Sequence, residues 1–111
     1  MCTARPDLCV VLMTAPSADV AAEIARTLVD ERLAACVSII PAIRSIYRWQ
    51  GKSCDEAEAA CIIKTRRALF APLRDRILAL HPYDVPEIVA LDPADVSAPY
   101  LKWVIESTRE G

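Results

Sequence analysis

The sequence predicts an α+β domain of ferredoxin-like form: a split βαβ, antiparallel sheet with helices on one face and a further helix at the C-terminus. Three observations predict it. Segments with helical and strand patterning follow in the order strand, helix, strand, strand, helix, strand, helix. Residues 33–49, LAACVSIIPAIRSIYRW, are apolar, β-branched and too long for one ordinary strand. Gln50-Gly51-Lys52 then turns the chain into a return strand, so the two make a long hairpin.

Residues 8–14 read as a buried first strand, stopped by Ala15-Pro16. Ser17 is a good N-cap for the first helix. There Val20, Ile24 and Leu28, with Ala21 and Ala25, make one apolar stripe, and Glu23, Arg26, Asp30 and Glu31 lie mostly off it. The long strand runs from about residue 35. Pro41 cannot donate to a ladder, so it marks a bulge, a bend or an unpaired edge. After it Ile43, Ser45, Tyr47 and Trp49 share one face, with Arg44 and Arg48 on the other. The return strand, 53–65, begins acidic (Asp55, Glu56, Glu58) and ends apolar, which predicts an exposed hairpin tip and a buried base.

The second helix is predicted over 69–80. Leu69, Leu73, Ile77 and Leu80 form its buried stripe, Phe70 lies beside it, and Pro72 falls in the first turn. Pro82 ends it. Residues 87–91 are a short last core strand. Ser97 caps a final helix with Leu101, Val104 and Ile105 inward and Trp103 to one side.

The 111 residues read as a single domain over 1–111, with an ordered core of about 8–109. A domain of this size buries only about two-thirds of its unfolded surface. Hydrophobic residues make up 54% of the chain, high for a small monomer. Ile39, Ile43 and Ile63 are read as making the open sheet face apolar, and such a face needs a partner. Self-association is therefore expected. Net charge is −2, with no basic run, so nucleic acid is not an expected partner. No apolar run reaches membrane-spanning length, and Asp7 interrupts any signal-like N-terminus, so a cytoplasmic protein without a membrane partner is expected. The five cysteines form no CxxC pair and are read as reduced thiols. Cys9, Cys36 and Cys61 are expected to be buried, Cys2 and Cys54 exposed.

P-loop, GxGxxG, GxSxG and HExxH motifs are absent, which argues against an enzyme. An enzyme reading would use Cys36 with His81, but nothing aims a third group at them. His81, the single histidine, ends the second helix and is a candidate metal ligand. Tyr47, Trp49, Lys64, Tyr83 and Glu87 interrupt apolar segments. The two hairpin aromatics suit a flat or cationic ligand. Lys64 suits an anion, and Glu87 suits Lys64 or a cation. The plainer reading makes all five interface residues. The acidic run at 55–58 reads as a solvated tip.

Leu33-Ala34-Ala35-Cys36, Ile40-Pro41, Ser45-Ile46-Tyr47-Arg48-Trp49, Gly51-Lys52, Ile63-Lys64-Thr65 and His81-Pro82-Tyr83-Asp84-Val85-Pro86-Glu87 together resemble the CutA family, the divalent-cation tolerance proteins. The resemblance spans about residues 10–107. It implies a ferredoxin-like fold, a tight homotrimer, a cytoplasmic location and a link to copper and other divalent metals, with a fold-level likeness to the PII signal proteins. It also implies that Tyr47, Trp49, Lys64, Tyr83 and Glu87 line clefts between subunits. The family's copper ligands, a Cys and two adjacent His, fall on Met13, Leu80 and His81 here. Met13 keeps a thioether and Leu80 offers nothing, so the metal candidates are His81, Met13 and Cys36. The leading reading is a non-enzymatic homotrimer that binds or responds to divalent metal such as copper, or senses a small anionic ligand. The alternatives are a hyperstable trimeric scaffold and a small Cys/His enzyme.

Overall fold

The structure is a computed structural model and describes residues 5–110; Cys2 lies outside them. The elements are β1 (Cys9–Ala15), α1 (Ala18–Asp30), β2 (Cys36–Trp49), β3 (Lys52–Thr65), α2 (Phe70–Leu80), β4 (Ile88–Leu91) and α3 (Ala98–Ser107), with a 3-10 turn, Arg67–Leu69, leading into α2. The sheet order is β2-β3-β1-β4, and every neighbouring pair is antiparallel. This is the predicted ferredoxin-like topology.

Side-chain alternation divides the sheet into two faces. On one, Cys9, Val11, Met13 and Ala15 of β1 stand beside Ala59, Cys61 and Ile63 of β3. α1 covers them with Ala21, Ile24 and Leu28, and α2 with Leu73 and Ile77. Ser17 starts α1 by accepting a hydrogen bond from the Val20 amide at 3.2 Å. Arg76 of α2 makes a bidentate ion pair with Glu31, just past α1. α3 instead closes one end of the opposite face, where Val104 and Leu101 pack on Leu8, Val10 and Ala35. Its last turn is tied down by side chains: Arg66 donates to the Ile105 carbonyl at 2.9 Å, and Arg32 to the Glu106 carbonyl at 2.8 Å. Ile105, expected to face inward, is only half-buried, and Trp103 stays exposed.

Pro41 marks a bulge. Ile40 pairs with Ala60, yet Ile43 pairs with Glu58, so β2 carries one extra residue there. One extra residue reverses which side chains point where. Before Pro41, Val37 and Ile39 lie opposite Ile63 and Cys61, on the helix-covered face. After it, Ile43, Tyr47 and Trp49 lie opposite Glu58, Cys54 and Lys52, on the open face.

That corrects the sequence reading of the open face. Ile63 is fully buried, and Ile39 packs against the same core. The apolar residues of the open face are Leu12, Ile40, Ile43, Ala60, Ile62, Val89 and Leu91. Ile40, Val89 and Leu91 are each more than 40% exposed, so the prediction of an apolar face stands on different residues. Cys36 and Cys54, expected buried and exposed respectively, are both half-buried, because both stand on this uncovered face.

Candidate functional site

The site forms where β1 stops. Ala15 pairs with Ala59, and beyond that point β3 has no neighbour on its β1 side. The chain leaving α2 fills the space. His81 anchors it: Nε2 lies 2.7 Å from the Thr14 carbonyl oxygen, and Nδ1 accepts the Tyr83 amide at 3.1 Å. A carbonyl can only accept and an amide N–H can only donate, so the ring is the neutral tautomer with its proton on Nε2. Tyr83 packs against the His81 ring at 4.8 Å between centroids. Its hydroxyl donates to Glu58 at 2.7 Å.

On the hairpin, Tyr47 donates to Glu56, also at 2.7 Å. The bulge puts Tyr47 and Trp49 on the same side as Glu56 and Glu58. Hairpin and loop together enclose a cleft of ≈ 300 Å³ lined by Tyr47, Trp49, Pro82, Tyr83, Asp84 and Val85. Both phenols are harder to ionise than a free tyrosine. The Tyr47 pKa is pushed up to about 12, first by its bond to Glu56 and then by loss of water. Burial raises the Tyr83 pKa as well, and its bond to Glu58 adds to the shift.

Three of the five residues proposed from sequence as cleft-lining, Tyr47, Trp49 and Tyr83, meet here. Lys64 and Glu87 do not. Lys64 pairs with Val10 and donates to Ser38 at 3.1 Å. Glu87 precedes Ile88, which pairs with Met13. Val10 and Met13 are three positions apart on β1, about 10 Å of strand, and Glu87 lies beyond that level, so within the chain the two do not pair. Asp84 and Val85 were missed as lining residues. Both stand in the motif that carries the family resemblance, but only the position of the loop makes them part of a cleft.

The candidate metal ligands do not assemble into one centre. Met13 is buried on the helix-covered face. Cys36 lies on the opposite face, across from Lys64. His81 has both nitrogens engaged. Among the described residues no group of three His, Cys, Asp or Glu is placed to hold a metal ion. The Cys36–His81 dyad fails on the same geometry. Cys36 stands at the level of Val10 and His81 at that of Thr14, about 13 Å along the strand.

A ferredoxin-like α+β domain with a long bulged hairpin and an aromatic cleft at its base is the class defined so far. The chain belongs to the CutA1 divalent ion tolerance protein family, whose model matches residues 9–107. The resemblance read from the sequence is thereby borne out. A divalent-cation tolerance protein CutA of Thermus thermophilus is 52% identical over 99 residues, covering 89% of this chain and 96% of that one. Its counterpart from Pyrococcus horikoshii is 43% identical, with 91% and 98% covered. Human protein CutA is 46% identical, but the match covers only 54% of it, so the chain spans about half the length of the plant and animal relatives. Among solved structures, CutA1 from Oryza sativa superposes with a TM-score of 0.92 at 41% identity, covering 96% of this chain and 98% of that one. The Thermus thermophilus protein superposes at 0.89 with 51% identity, covering 92% and 99%.

Proposed function

We propose that this chain is a non-enzymatic, homotrimeric protein of the cytoplasm that takes part in tolerance of divalent cations such as copper. The observation that carries the reading is the open sheet face. Ile40, Ile62, Leu12, Val89 and Leu91 form one apolar surface that α3 covers only at its end. A second and third copy would bury it, and the free stretch of β3 beyond β1 supplies a backbone edge for pairing. The relatives' description as divalent-cation tolerance proteins supports the metal link. The four described cysteines, none bonded to another, support a reducing compartment. A solved relative from Archaeoglobus fulgidus, 38% identical, is described as periplasmic, so fractionation of the native host is the direct check of the compartment.

The metal reading does not run through Met13, Cys36 and His81 as one preformed site. It requires donors brought together by assembly, or weak capture at the surface. Light scattering at micromolar concentration tests the assembly and should return three chains. A well-behaved monomer would overturn the proposal.

A further inference from the structure

We propose that the cleft between the hairpin and the His81–Glu87 loop is an aromatic cage for a compact organic ammonium ion, of the quaternary or methylated class. Three rings face it: Tyr47 and Trp49 from β2, and Tyr83 from the loop. Asp84 supplies a carboxylate, and Pro82 and Val85 supply apolar walls. Among the described residues of one chain, no Lys or Arg lines it. Arg44 and Arg48 project from the other side of β2, where Arg44 is paired with Asp55. Lys52 stands opposite Trp49 at the hairpin end but is not part of the lining.

The charge behind the rings has the matching sign. Glu56 and Glu58 each take a phenolic hydrogen bond, which commits the Tyr47 and Tyr83 hydroxyl hydrogens to the carboxylates. A phenol that donates to a carboxylate has a more electron-rich ring, and that strengthens its attraction for a cation. The upward shift of the Tyr47 phenol, to which both Glu56 and Glu58 contribute, reports the same negative field. Anions are disfavoured by that field. Hard divalent ions need several oxygen ligands, and Asp84 is the one lining carboxylate. A weakly hydrated organic cation needs ring faces and one counter-charge, which is what the cleft holds.

The test uses the full chain with Trp103→Phe, which leaves Trp49 as the single tryptophan reporter. Choline, its uncharged carbon isostere 3,3-dimethylbutanol, and citrate are each titrated against Trp49 fluorescence. Choline should saturate with a dissociation constant on the order of millimolar or tighter, and the isostere should bind roughly tenfold more weakly. Citrate should give no saturable change. In a parallel calorimetric titration, Trp49→Ala should weaken choline binding about tenfold or more, whereas Tyr47→Phe, which keeps a ring but loses the bond to Glu56, should weaken it by clearly less. Trp49 and Tyr47 are both substantially exposed, and circular dichroism confirms that each variant is folded. Equal binding of choline and its isostere, saturable citrate binding, or choline binding unchanged in Trp49→Ala would each overturn the cage. Light scattering of the same samples reports assembly separately, so a trimer that ignores choline defeats the cage and leaves the trimer reading standing.

Discussion

His81 holds the carbonyl of Thr14 through Nε2 at 2.7 Å, and in doing so ties the exit of α2 to the last turn of β1. The second ring nitrogen holds Tyr83 in place. His81→Ala should therefore destabilise the fold by about 1–3 kcal/mol, since it leaves a carbonyl and an amide without partners in a shielded place. Chemical denaturation measures this. Cupric titration of the reduced protein should give micromolar affinity or weaker, with or without the histidine. A nanomolar site that disappears in His81→Ala would show that the ring leaves Thr14 to take up metal.

The open sheet face makes a sharper prediction about assembly. Ile40 is 44% exposed in the single chain, so a charge there should be tolerated by the fold. Buried between subunits, the same charge is costly. Ile40→Glu should shift the protein from trimer to monomer in light scattering while its circular dichroism stays unchanged. A trimer that survives the substitution would place the interface elsewhere.

The two tryptophans provide an internal comparison. Trp49 and Trp103 are 43% and 44% exposed, so exposure alone does not separate them. Trp49 lines the cleft on the long hairpin, whereas Trp103 stacks on Tyr100 along a terminal helix. Trp49→Ala should weaken assembly or cleft binding by about 2 kcal/mol, and Trp103→Ala by clearly less. Dissociation on dilution and ligand titration together check the ranking.

Alkaline pH should unfold the protein from the hairpin side. The Tyr47 pKa is raised in the folded state to about 12 and the Tyr83 pKa is raised as well, against an unfolded value near 10. The stabilisation from keeping these phenols neutral is complete below about pH 10 and is lost as the pH rises through the folded values. Thermal melting temperatures should therefore fall steeply above about pH 10. Glu56→Gln should bring the Tyr47 phenolate absorbance to lower pH, because the principal cause of the shift is removed.

The hairpin turn offers a test free of packing. Gln50 and Gly51 both have positive φ, 50° and 76°, between the paired residues Trp49 and Lys52. A Cβ at Gly51 would meet nothing within 4 Å, so Gly51→Ala isolates the backbone term. It should cost about 1 kcal/mol, whereas Gln50→Asn should add a few tenths, since Asn accepts this conformation more readily. Denaturation midpoints of the two variants decide it.

Much of this fold is written in local patterning. The α1 stripe, the Ser17 cap and the turn at Gly51 each act within a few residues of chain, and each was legible. Pro41 announced a bulge, a bend or an unpaired edge because it lacks a donor, and the structure makes it a bulge. What the bulge does was not legible. Whether β2 slips by one residue or two decides which face receives Ile39, Tyr47 and Trp49, and that depends on β3. A Lys64–Glu87 pair was one option suggested by charge, but within one chain the register of β1 against both of its neighbours keeps them apart. The His81 contact joins residues 67 positions apart, and no local signal announces it.

The uneven arrangement of the strands has a consequence in time. β2 and β3 are joined by two residues, so their pairing closes a very small loop and can form within microseconds. β1 must wait for β3, across more than forty residues, and β4 comes later still. As the chain leaves the ribosome, the hairpin is complete before α2, β4 and α3 exist. Its outer half meets solvent with charged residues on both strands, Arg44 and Arg48 on β2 and Asp55, Glu56 and Glu58 on β3, and charges along an edge disfavour pairing with another chain. The order of strand pairing thus follows the chain: the hairpin can form from its own residues, and the rest of the sheet is added to it.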